Sequence, residues 1–191
     1  MSVVIVGNPK PRSRTRAAAE LVATKLTGAA LGLPGEADRI VGDVEEKFVE
    51  VEENHPELAG ATVVLARPNP TDAASFMAWS SKDLRGRFLK ELGAQVPSQV
   101  DQLAGQGAYA TLPANQLTTL DTADALLVAG TPDEQAAFAA IPGYGQLKLV
   151  QQSKVVTLDD EQSAALAFGS VLSLPAVIDE VAGRLARAVE R

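Results

Sequence analysis

The sequence predicts an α/β protein of three layers, doubly wound around a mainly parallel sheet. Three observations carry this. Short β-branched and apolar runs, "VVIV", "ATVVLA", "ADALLVAG" and "KVVTL", have the length and composition of strands buried on both faces. Segments of helical period stand between them, and Gly or Pro marks nearly every change of element. A hydrophobic fraction of 46% with 21% charged residues is that of a soluble globular body, and 191 residues suffice for one well-cored domain, 1–191.

In chain order, Val3 to Val6 reads as a buried strand and Thr15 to Leu26 as a helix with Leu21, Val22 and Leu26 inward. "TGAALGLPGE" stops that helix and starts another, which makes it the seam of the chain. Glu36 to Asn54 is a long helix. Ile40, Val44, Phe48 and Val51 form its apolar stripe, and Glu45, Glu46, Glu50, Glu52 and Glu53 face water. Pro56 ends it. "ATVVLA" is a strand, "SFMAWSS" a second strand, and Asp83 to Leu92 a helix stopped by Gly93. "SQVDQLAG" is helical, "AYATL" extended, "ANQLTTL" helical and "ADALLVAG" a strand. "PDEQAAFAAI" is a helix opened by Pro132, "GYGQLKLVQQ" is helical, and "KVVTL" is a strand. The last helix places Val177, Ile178, Val181, Leu185 and Val189 on one side.

Composition excludes several functions. With no cysteine there is no disulfide, thiolate chemistry, cysteine zinc site or cysteine-linked lipid anchor. The single His55 leaves no metal cluster and no Ser-His-Asp arrangement, so a turn role is expected for it. A formal net charge of −7 argues against nucleic acid as a partner. No segment approaches a membrane span, so no membrane insertion is expected. The opening lacks a basic, long-apolar leader, so the expected location is cytoplasmic. Residues 1–35 hold five basic residues and one acidic, the one positive concentration in the chain.

That opening carries phosphate-binding chemistry. In "GNPKPRSRT", hydroxyls at Ser13 and Thr15 beside Arg12 and Arg14, at the start of a helix, are the groups that hold an anion; equally, Ser13 or Thr15 caps the helix and the arginines are solvated. Arg85 and Arg87, beside Asp83, read as a solvated ion pair, and Asp159 to Glu161 as solvated acidic surface.

Two resemblances follow. "VVIVGNPKPRSRT" with its Ala-rich helix resembles the first strand, phosphate loop and first helix of the flavodoxin-like NADPH-dependent FMN reductases. That likeness implies FMN phosphate held by Asn8, Arg12, Ser13, Arg14 and Thr15, with residues 1–35 a flavodoxin-like βα unit. From about Glu36 onward, five blocks resemble the inter-lobe helix and C-terminal lobe of iron-siderophore ABC-transporter substrate-binding proteins. They are "ADRIVGDVEEKFVEVEENHPELAGATVVLA", "SSKDLRGRFLKELGAQVP", "LPANQLTTLDTADALLVAG", "IPGYGQLKLVQQSKVVTLDD" and "ALAFGSVLSLPAVIDEVAGRLARAV". This implies a Rossmann-like lobe, with 36–54 the inter-lobe type of helix and 55–191 the lobe proper.

The second resemblance implies a non-enzymatic domain whose ligand is a ferric siderophore. Tyr109 and Phe168 are its first ligand candidates, Trp79 and Arg67 its weaker ones; the aromatics Phe168 and Trp79 suit a core better than a ligand contact, and Tyr109 is the preferred candidate. No cofactor and no catalytic residue are expected, FMN being the cofactor only under the reductase alternative. The two likenesses together imply a fusion or engineered chimera, with an incomplete cleft and weak binding, existing as a monomer or an edge-strand homodimer.

Overall fold

The computed structural model describes residues 24–168 and 174–191. The strand expected at Val3 to Val6 and all five loop residues Asn8, Arg12, Ser13, Arg14 and Thr15 lie outside the described residues. A helical stretch covers 24–30, running on through Thr27 to Ala30 where the seam was expected to break it, and Leu26 is 53% exposed, not inward. The break falls at Leu31 and Gly32, whose φ of +74° suits glycine, and Pro34 then occupies the first turn of the next helix.

That helix, α1 (Pro34–Asn54), buries Ala37, Val41, Val44 and Val51, one stripe at helical spacing, while its glutamates at 45, 46, 50, 52 and 53 are exposed. His55 caps it and donates its backbone N–H to Val51 O, the turn role expected of it. Strand β1 (Val63–Pro68) follows, then β2 (Ser75–Trp79), α2 (Leu84–Glu91), α3 (Ser98–Ala104), β3 (Tyr109–Pro113) and a 3-10 segment, Ala114–Thr122. After these come β4 (Ala125–Val128), α4 (Pro132–Ala139), α5 (Lys148–Gln151), β5 (Val155–Thr157), α6 (Asp160–Phe168) and α7 (Pro175–Val189).

The strands form one sheet in the order β3-β2-β1-β4-β5. The β1-β4 and β4-β5 pairs are parallel, and the β1-β2 and β2-β3 pairs antiparallel, so the sheet is mixed. The parallel half is the one the buried runs predicted. The short Asn69–Ala74 turn between β1 and β2, too brief for a crossover helix, forces the antiparallel half.

Alternation along each strand splits the core into two clusters. Val63, Leu65, Trp79, Ala125, Leu127 and Val156 face α1, α2, α6 and α7. Val64, Ala66, Phe76, Ala78, Ala110, Leu112, Leu126 and Val128 face α3, the 3-10 segment, α4 and α5. The result is the expected three-layer α/β architecture. A Lys47–Asp179 ion pair joins α1 to α7.

The acidic run is exposed, as expected, and also starts a helix. Asp159 Oδ1 accepts the backbone N–H of Gln162 at 2.8 Å, and Gln162 Oε1 accepts that of Asp159 at 3.2 Å, a reciprocal cap that starts α6. Asp160 and Glu161 then sit in its first turn, where the dipole favours them.

Candidate functional site

The structure places three of the four ligand candidates on one face of the sheet. Ladder register pairs Arg67 with Met77 and Met77 with Thr111, and in the adjacent row Trp79 with Tyr109. All five share the face of Val63 and Leu65. They differ in cover. Over β1, β4 and β5 that face is roofed by helices, but at β3 none of the described residues roofs it: Tyr109, Thr111 and Pro113 are exposed, alternating with buried Ala110 and Leu112.

Trp79 belongs to the core and not to an open cleft. It is 4% exposed, because the Arg85 guanidinium lies 4.6 Å from its ring centre and closes it off. Arg85 itself is no solvated residue: its side chain is 20% exposed and its Nη1 donates to Asp83 Oδ1 at 2.9 Å, while that same carboxylate accepts the Arg85 backbone N–H and caps α2. Arg87 donates to Lys82 O at 3.2 Å. Phe168 is the last residue of α6, not part of a turn, and its side chain lies outside what is described.

Arg67 stands at the carboxyl end of β1, the end at which α/β sheets collect ligands. Its Nη2 donates to Glu134 Oε1, an ion pair across the strand ends. Glu134 is fixed from the other side by a capping box: its Oε2 accepts the Thr131 N–H at 2.9 Å, and Thr131 Oγ1 accepts the Glu134 N–H at 3.2 Å. Gly130 makes room for this, since a Cβ there would meet Glu134 Oε2 at 2.7 Å, and its φ of +130° also disfavours a side chain. Arg67 Nε is buried and has no hydrogen-bond partner among the described residues. A desolvated donor left unmet costs about 1–3 kcal/mol. The site therefore holds one unmet N–H, shielded from solvent, beside a neutralised charge.

The residues sequence reasoning missed here are Met77, Thr111 and Glu134. Period-2 alternation in "YATLP" was the available signal for Thr111, and "TPDE" was the signal for a capping box holding Glu134. Met77 carried none. Tyr144, outside this face, is packed 5.4 Å from Phe138, and burial raises its phenol above the ordinary range. Among the described residues no group of three or more His, Asp or Glu is placed to hold a metal ion, and no helix is long and apolar enough to cross a membrane.

A family model described as periplasmic binding protein matches residues 3–162. It takes in the opening residues as well as the first four later blocks, so one family spans the stretch for which two parents were expected, and neither the reductase resemblance nor a chimera is supported. No curated protein sequence matches. Among solved structures, PiaA of Streptococcus pneumoniae in complex with ferrichrome is similar at 23% identity and a TM-score of 0.67, over 87% of this chain and 57% of that one. A periplasmic solute binding protein from Mycobacterium smegmatis shares 24% identity at a TM-score of 0.71, over 86% and 55%. FhuD from Vibrio cholerae, bound to Fe3+-Desferal, shares 14% at 0.72, over 97% and 67%. At these identities the likeness is one of fold, and the chain spans little more than half the length of the first two.

Proposed function

Because the chain belongs to the periplasmic binding protein family, we propose that it is a lobe of a substrate-binding protein that takes a ferric siderophore on the open face of its sheet. The observation that carries this is the shared face of Arg67, Met77, Tyr109 and Thr111, partly exposed at Arg67 and Met77 and exposed at β3, with a buried, unmatched donor at Arg67 Nε. An aromatic ring and a thioether suit the apolar shell of such a complex, and the Arg67 Nε–H and the Thr111 hydroxyl suit its oxygens. Structural neighbours that carry ferrichrome and Fe3+-Desferal support the ligand class. Iron enters as cargo inside its chelator, so the site needs no metal ligands of its own.

The role is binding rather than catalysis, and its setting is the outer side of the cytoplasmic membrane, with an ABC transporter as downstream partner. The lobe offers one wall of a cleft. The β3 edge, with no charged residue from Gly107 to Gln116, is the place where a second copy would pair.

The test is titration of the tryptophan emission of Trp79, the sole tryptophan, with ferric hydroxamate and ferric catecholate complexes. Saturable quenching, weakened about tenfold in Arg67→Ala and in Tyr109→Ala, is the expected result. Absence of saturation up to about millimolar ligand, roughly −4 kcal/mol of binding, overturns the proposal.

A further inference from the structure

On the opposite edge of the sheet from β3, Arg184 and Arg187 of α7 and Arg191 just beyond its end lie along β5. The hydrogen bonds from Leu126 N to Lys154 O and from Leu158 N to Val128 O turn the even residues of β5 toward β4. Ser153, Val155 and Thr157 therefore direct their backbone groups outward. Arg184 Nη2 donates to Thr157 O, and Arg191 Nη1 donates to Ser153 O at 3.1 Å. Two guanidinium groups are thus held at either end of the strand by neutral carbonyls, Arg184 also standing within ion-pair distance of Glu180.

Arg187 sits between them on the same stripe, three residues after Arg184 and four before Arg191, and forms no ion pair among the described residues. The three surround a groove of about 140 Å³ floored by Val155 and Ala188. No Asp or Glu side chain lines it among the described residues. Glu180, 3.7 Å from Arg184, reaches that arginine from the preceding turn of α7. At the groove's end Ser153 holds φ +56°, the sole positive φ outside glycine among the described residues. In a chain of net charge −7 this is an isolated cationic basin, and its guanidinium groups are positioned before any ligand arrives.

We propose that this groove binds a small polyvalent oxyanion, of phosphate or polycarboxylate chemistry. Guanidinium forks match both anions bidentately, and the apolar floor lowers the local dielectric that would weaken the pairing. Arg187 makes the principal contact, with Arg184 and Arg191 contributing the N–H groups that β5 does not use. The groove borders a different edge from the siderophore face and does not depend on that assignment.

The experiment is an amide-resolved NMR titration of the full chain with inorganic phosphate and, separately, citrate, each against sodium chloride at equal ionic strength. Saturable shifts confined to 153–157 and 184–191 are expected, and the anion that saturates first identifies its class. Arg187→Ala should weaken binding about tenfold and Arg187→Lys by less, while thermal unfolding in chloride stays unchanged because Arg187 is exposed. Shifts that merely track ionic strength, shifts centred elsewhere, or an Arg187→Ala protein that binds like the parent would each overturn the assignment.

Discussion

The Arg85 guanidinium lies over the Trp79 ring at 4.6 Å, and this stack marks the boundary at which the helical roof of the sheet gives way to the open face at β3. One side of the ring belongs to the core shared by Leu65, Phe88 and Leu89; its ladder partner Tyr109 belongs to solvent.

Arg85→Ala should therefore remove a half-buried cation–π contact and the ion pair with Asp83 together. The expected loss is about 1–2 kcal/mol in urea unfolding, with red-shifted tryptophan emission as water reaches the ring. Arg85→Lys should recover part of the stability but less of the spectrum, since an ammonium covers less of the indole than a planar guanidinium. An unchanged emission maximum in Arg85→Ala would mean that the arginine does not shield Trp79.

Two glycines test the helix packing with opposite signs. A Cβ on Gly86 would meet Ser80 O at 2.2 Å and Ser81 Cα at 2.8 Å, both backbone-anchored, so Gly86→Ala should cost about 3 kcal/mol. Gly42 lies exposed in the middle of α1 with nothing within 4 Å of its Cβ direction, and Gly42→Ala should stabilise by about 0.8 kcal/mol. Urea melts of the two variants should move in opposite directions.

The contrast between these elements and the site explains what the sequence could convey. The strands β1, β4 and β5 were legible because "ATVVLA", "ADALLVAG" and "KVVTL" are runs of apolar, β-branched residues, and α1 and α7 were legible because Val44, Val51, Val181 and Leu185 recur at helical spacing. Helix α6 was not, since "DEQSAALAF" shows no apolar period and its start depends on a reciprocal Asp159–Gln162 cap. The site was half legible. Arg67 and Tyr109 could be singled out as residue types, but their shared face depends on ladder register between β1, β2 and β3, which no local pattern encodes. Trp79 was read as core or cleft for the same reason: whether a strand tryptophan is roofed depends in part on an arginine from the next helix.

Asp124 should set part of the acid sensitivity. Its carboxylate accepts the Thr62 N–H at 2.8 Å and the Thr62 hydroxyl at 2.7 Å, and these bonds hold its pKa below the ordinary value. A depressed folded-state pKa means stabilisation that is complete above the unfolded pKa and lost as pH falls through the folded one. Asp124→Asn should thus lower stability at pH 7 by about 1 kcal/mol, discounted for partial exposure, and flatten the stability profile below about pH 4. A variant whose unfolding free energy keeps the parent's acid slope would assign that slope to other carboxylates.

The Arg67–Glu134 pair joins stability to binding. Glu134→Gln keeps the shape of the capping box but removes the charge that neutralises Arg67, so stability should fall by about 1–2 kcal/mol, less than for a fully buried pair because each side chain is about a quarter exposed. The double variant Arg67→Met with Glu134→Gln should recover much of that loss, since it removes both the unpaired charge and the orphaned Nε. Binding should respond differently. In Glu134→Gln the guanidinium gains freedom to turn its whole fork to a ligand oxygen, and affinity for a ferric complex should rise or hold, whereas the double variant should lose it. A double variant that is both stable and fully competent to bind would remove Arg67 from the site and leave it a structural partner of α4 alone.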